Sequence, residues 1–169
     1  MWRSDHVGRK NRCNRLLWVW KIYIVNTIIP KAPVIHLDRL YWRSNWTPVT
    51  NEEFDEALKA ELDKPRWIMD GNFGRTMAWR LSCCDTVIYM DFPRWLCVYG
   101  VLKRVLLNHG KTRDDMGQNC PERFDLAFLK YVWSFHRKNR DKIYKRIEEL
   151  EGKEIILLHS RKECKQLLL

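Results

Sequence analysis

Four short apolar runs, residues 34–37, 67–69, 86–90 and 154–158, are set apart by stretches whose apolar residues recur at helical spacing. This alternation constrains the fold more than any other feature of the chain. Strands separated by helices do not pair as hairpins, so the pattern predicts a mostly parallel sheet covered by helices on both faces. The helical stretches carry their own signals. Thr50-Asn51-Glu52-Glu53 is a capping box ahead of Phe54, Ala57, Leu58 and Leu62. Residues 76–81 form a short helix. Pro93 suits the first turn of another, with Leu96, Tyr99, Leu102 and Leu106 along one side. Residues 124–135 and 141–150 are helical by pattern, Gly152 marks a stop, and a last helix runs from Lys162. Between Asn108 and Cys120 the chain is polar and basic, a loop or lid by composition.

At 169 residues and 20.6 kDa, with 46% hydrophobic and 31% charged residues, the chain suits one globular domain. That excludes a disordered tail, a collagen-like chain and a multi-span membrane protein. The six cysteines contain no C-x-x-C and no paired spacing, which points to a reduced, cytoplasmic compartment. Cys83 and Cys84 read as small buried apolar residues, and His36 as a strand core residue. His136 and His159 show no metal spacing.

The net charge of +10 is unevenly placed. Residues 1–31 hold seven basic residues against one acid, a net of +6, and the remainder holds 24 basic and 20 acidic residues, a net of +4. The first stretch also holds three of the nine tryptophans and is anomalous beside the rest. It is not a membrane anchor by pattern, since Lys21, Asn26 and Thr27 interrupt an apolar run already shorter than the ~20 residues a span requires. No membrane partner is expected.

A set of linked blocks carries a family resemblance. These are Val34 to Trp42, Trp67 to Thr76 with its Asp70-Gly71-Asn72, Asp85 to Trp95, Gly110 to Met116, and Cys120 to Asp125. In order and spacing they resemble the bacterial DNA topology modulation proteins, a branch of the P-loop NTPases similar to adenylate kinase, over nearly all of residues 32–169. The resemblance implies a P-loop NTPase-like three-layer α/β/α fold with a basic lid, and ATP-dependent phosphoryl transfer to a small acceptor with magnesium. It places Asp70 near the magnesium ion, Asp38 facing the second substrate, and Arg104, Arg113 and Arg140 as phosphate clamps. Gly100 stands where relatives carry an arginine. A second class, a basic DNA-binding protein without catalysis, is permitted by the charge and the family's name. It is weakened by the small excess outside residues 1–31 and by the lack of any helix-turn-helix, zinc or RNA-binding signature.

The family's phosphate cradle is missing. No G-x-x-x-x-G-K-[ST] occurs, and Gly8 is the only glycine before Gly71. The codons behind residues 15–24, read one nucleotide later, force glycine at Trp18–Val19 and again at Trp20–Lys21, because tryptophan has the single codon TGG. They permit G-x-x-G-x-G-K-S-T. Residues 11–14 in that frame permit Ile-Gly-Val-Ile, a strand entering the loop. Residues 1–31 therefore read as an out-of-frame translation ahead of a nucleotide-kinase-like domain at 32–169, and ATP binding is expected to be lost. The central first strand of the sheet is expected to be missing or disrupted. Residues 16–25 are β-rich enough to substitute, but only about eight residues then precede the strand at Val34, too few for a parallel crossover.

Overall fold

The computed structural model describes residues 22–26 and 32–167. The chain is mixed α/β. Its main sheet has five strands in the order β2-β5-β1-β6-β7: β1 (Ile22–Asn26), β2 (Val34–His36), β5 (Trp67–Asp70), β6 (Thr86–Met90) and β7 (Glu154–Leu158). β3 (Trp42–Arg43) and β4 (Thr47–Pro48) form a small antiparallel hairpin beside it. The helices are α1 (Leu37–Tyr41), α2 (Asn51–Leu62), α3 (Met77–Ser82), α4 (Arg94–Asn108), α5 (Leu126–Glu148) and α6 (Arg161–Leu167). None of the described helices is long and apolar enough to cross a membrane.

The central first strand, expected to be missing or disrupted, is present and reversed. β1 fills the middle of the sheet, paired with β5 through Tyr23↔Asp70 to Asn26↔Trp67 and with β6 through Ile22↔Tyr89 to Val25↔Thr86. Both ladders are antiparallel, while β2 pairs β5 and β6 pairs β7 in parallel. Four strands thus run one way and β1 the other. The physical reason is chain length: only residues 27–33 separate β1 from β2, and a same-direction return needs a dozen or more residues. The remainder of the anomalous segment, residues 1–21 and 27–31, lies outside the described residues.

The pleat decides the core. Trp67, Met69, Val87 and Tyr89 point to one face and are fully buried, while Ile68 and Ile88 on the other face are half-buried. α2 contributes Phe54, Leu58 and Leu62 at four-residue spacing, and Thr50 and Glu53 make the reciprocal capping box. The two helices expected at 124–135 and 141–150 are one. Residues 136–140 are polar but contain no Gly or Pro to stop α5, which Asp125 caps by accepting from the Phe128 N–H at 3.0 Å. On α4 the core face is Cys97, Gly100, Val101, Arg104 and Val105, so Tyr99, Leu102 and Leu106 face outward. Cys84 is buried as expected and Cys83 is exposed.

Candidate active site at the carboxyl edge of the sheet

The four strands that run alike end together, and in open α/β sheets ligands bind outside such carboxyl ends. His36, Asp70, Asp91 and His159 stand at or just past the ends of β2, β5, β6 and β7. Two clusters form there.

The first surrounds Asp70. Its carboxylate is almost wholly buried and its Oδ2 lies 2.8 Å from Nδ1 of His36, a contact set by the parallel register that places the two residues side by side. The loop that follows is held by Arg80 of α3. This guanidinium is fully buried and donates to the carbonyls of Gly71 at 3.0 Å and Phe73 at 2.9 Å, and more weakly to Asn72. Burial pulls the Arg80 pKa down to about 10. Gly71 is required by this turn, since its φ is +143° and a Cβ there would meet the Leu37 side chain at 3.0 Å. Asp38 sits in the first turn of α1. Across from it, Tyr131 of α5 has its pKa raised by desolvation of its inner edge and then by the Asp38 charge.

The second cluster surrounds Asp91, also almost wholly buried. Arg140 Nε and the Tyr144 hydroxyl both donate to its Oδ2 at 2.9 Å. His136 Nε2 lies 3.5 Å from Oδ1, and His159 Nδ1 3.8 Å from Oδ2. The hydrogen bond to Asp91 raises the Arg140 pKa, and burial followed by the same carboxylate raises that of Tyr144. Outside this cluster opens a cavity of about 580 Å³ lined by Asp91, Arg94, Trp95, His136, Arg137 and His159.

Arg104 and Arg113 come together elsewhere. Arg104 meets Glu122 Oε1 through Nε at 3.1 Å and Nη2 at 3.0 Å. Arg113 Nε lies 2.9 Å from Glu122 Oε2, close as an ion pair but not aligned as a hydrogen bond, and its Nη1 donates to Asp115 at 2.9 Å. Burial, then the charge of Arg113, lowers the Arg104 pKa. The segment read as a lid is laid down against the β3–β4 hairpin. The Asn45 N–H donates to the Asn119 carbonyl, Trp46 Nε1 to the Pro121 carbonyl, and Cys120 Sγ to the Arg43 carbonyl. Gly117 permits this approach, because a Cβ there would lie 1.9 Å from the Trp42 carbonyl oxygen.

Of the five residues singled out by the resemblance, Asp70 and Arg140 therefore reach the carboxyl edge, each tied to another residue. Asp38 stands beside it on α1. Arg104 and Arg113 share Glu122. Reading the chain missed Arg80, Asp91, Glu122 and Tyr144. The one available signal was Asp91 directly after an apolar run that predicts a buried strand.

These features define an α/β domain with an acidic, histidine-bearing carboxyl edge. No family model, curated protein or solved structure matches the chain.

Proposed function

We propose that this chain is a nucleotide-kinase-like α/β domain of the topology-modulation type that keeps the acid-bearing edge of such a fold and does not bind ATP as written. One observation carries the reading: Asp70 and Asp91 close two like-directed strands on either side of β1, which runs the other way. In phosphoryl-transfer scaffolds the cradle is a row of backbone N–H groups on the loop that leaves a central strand at the carboxyl edge. Here the chain enters β1 at that edge and leaves it, at Asn26, on the opposite one. A loop after β1 therefore starts a strand length away from both acids.

The described edge therefore lacks a backbone cradle on a loop leaving a like-directed central strand. Magnesium is commonly held by one or two carboxylates together with phosphate oxygens and waters. Asp70 suits the carboxylate part of that set. No group of three or more His, Cys, Asp or Glu side chains gathers for a metal among the described residues, so the ion would depend on a phosphate ligand.

The test is calorimetric titration of the chain with ATP and magnesium, beside a version whose residues 11–31 are rewritten in the shifted frame. No heat from the chain as written and saturable binding by the rewritten version are expected. Phosphoryl transfer by the rewritten version should be abolished by Asp70→Ala. Binding of ATP by the present chain, or none by the rewritten one, refutes the proposal.

A further inference from the structure

α4 is apolar on two opposite faces. Cys97, Gly100, Val101 and Val105 turn to the core, and Trp95, Tyr99, Leu102 and Leu106 lie opposite them, 63%, 51%, 37% and 82% exposed. A helix that is apolar all round belongs in an interior, and a stripe of this kind along a whole helix marks a surface awaiting a partner.

We propose that the partner is a second copy of this chain, docked through α4 in antiparallel orientation about a two-fold axis. The spacing of the stripe is four, three and four residues, which is symmetric about its midpoint. A two-fold axis through that midpoint sets Trp95 against the partner's Leu106, and Tyr99 against the partner's Leu102, in both directions at once. An isologous interface needs this self-complementarity. The four-three-four step is also the seam spacing of paired helices.

Charge agrees with the pairing. α4 contains no acid, the basic residues of α4 flanking the stripe are Arg94 and Lys103, and Arg161 of α6 covers part of the Tyr99 ring, 5.8 Å from its centroid. In the antiparallel register Arg94 falls beside the partner's Leu107, and Lys103 beside the partner's Val98, so neither meets a like charge directly. A parallel pairing would set Arg94 against Arg94 and Lys103 against Lys103. Area agrees as well. With large side chains exposing about 150–250 Å² when fully open, the four exposures leave roughly 500 Å² of apolar surface in water per copy. Joining two copies removes on the order of 1,000 Å², the least a specific interface needs. Trp95 also lines the cavity outside Asp91, so the partner's Leu106 would wall one side of it.

The test is sedimentation velocity of the full chain from about 1 to 100 µM, with far-UV circular dichroism to confirm that each variant is folded. A monomer–dimer equilibrium is expected in this range. Leu106→Glu and Trp95→Lys, both at exposed positions, should each weaken it at least tenfold. Both changes in one chain should restore it, because the two-fold then pairs each new lysine with a new glutamate. Phe124→Glu, exposed but off α4, should leave it unchanged. A wild-type chain that stays monomeric, or a dimer or aggregate indifferent to Leu106→Glu, overturns the proposal. Loss in both single variants without rescue in the double overturns the antiparallel register.

Discussion

Glu122 is 4% exposed and faces two arginines, Arg104 and Arg113, that come from the end of α4 and from the segment beyond it. Removing the acid would leave two positive charges close together and largely out of water. Breaking a buried pair by deleting one partner costs about 3 kcal/mol or more. For a chain of this length that corresponds to a fall in Tm on the order of 10 °C. Glu122→Gln should show such a fall in a thermal melt. The natural contrast is Asp55, whose two oxygens accept from Arg75 at 2.6 and 2.8 Å on the open surface. Surface pairs are worth about 1 kcal/mol at most, so Asp55→Asn should move Tm little. Equal shifts in the two variants would mean that Glu122 is not the counter-charge argued here. At this scale the sequence was partly legible. Asp70 was visible because it ends an apolar run. Glu122 and Arg80 were not, since a charged residue in a polar loop or mid-helix is written the same way whether it is solvated or buried. Only tertiary contact separates the two cases.

Several elements from β2 onward were legible because they carry a local signal: a capping box for α2, apolar runs for β5, β6 and β7, and a fixed-φ residue, Pro93, at the N-terminus of α4, whereas α1, the β3–β4 hairpin and the continuity of α5 carry none. The outward face of α4 was not, because a two-faced apolar helix has no unique core side in sequence. Nor was β1, whose β propensity could be read but whose direction depends on the length of the connection that follows it. Its seat between β5 and β6 makes it the element on which the sheet most depends, as its loss exposes the hydrogen-bonding edges of both neighbours. Deleting residues 1–31 should therefore abolish or sharply lower the cooperative melt followed by circular dichroism, whereas deleting residues 1–20 should retain it. A cooperative melt of similar Tm in both truncations would remove β1 from the centre of the sheet. This also bears on nucleic-acid assays. Residues 1–20 carry five basic residues and one acid, so the shorter truncation removes much of the excess charge while leaving β1 in place.

For the molecule as a whole, the groups that release protons on the alkaline side divide by sign. Burial is the largest cause raising Cys84 above its ordinary value of 9.0 and Tyr89 and Tyr144 above theirs of 10.0. Each of these keeps its proton in the folded state at a pH where the unfolded chain has released it. The unfolded state then binds fewer protons, so stability falls as pH rises. Their contribution is complete below about pH 9 and declines through pH 10 and above. Arg80 acts in the opposite sense. Its folded value of about 10 lies well below the ordinary guanidinium range, so the penalty for burying its charge is relieved only as pH rises through about 10 and beyond. The net charge of +10 also opposes the decline, because approach to the isoelectric point near 9.5 reduces repulsion across the surface. The two influences predict different curves. If surface repulsion dominates, Tm climbs from pH 7.5 to 9.5. If the buried phenols and thiol dominate, Tm is flat to about pH 9 and then drops. Four raised groups, Tyr131 joining these three, against two lowered arginines, Arg80 and Arg104, favour the drop, and melts at pH 7.5, 9 and 10.5 at constant ionic strength would read it directly. A second measurement assigns the cause. Tyr144→Phe removes one of the raised groups together with its hydrogen bond to Asp91, so its alkaline limb should be shallower than that of the parent even though its Tm at pH 7.5 is lower. A parallel limb in the variant would place the alkaline sensitivity outside the Asp91 cluster.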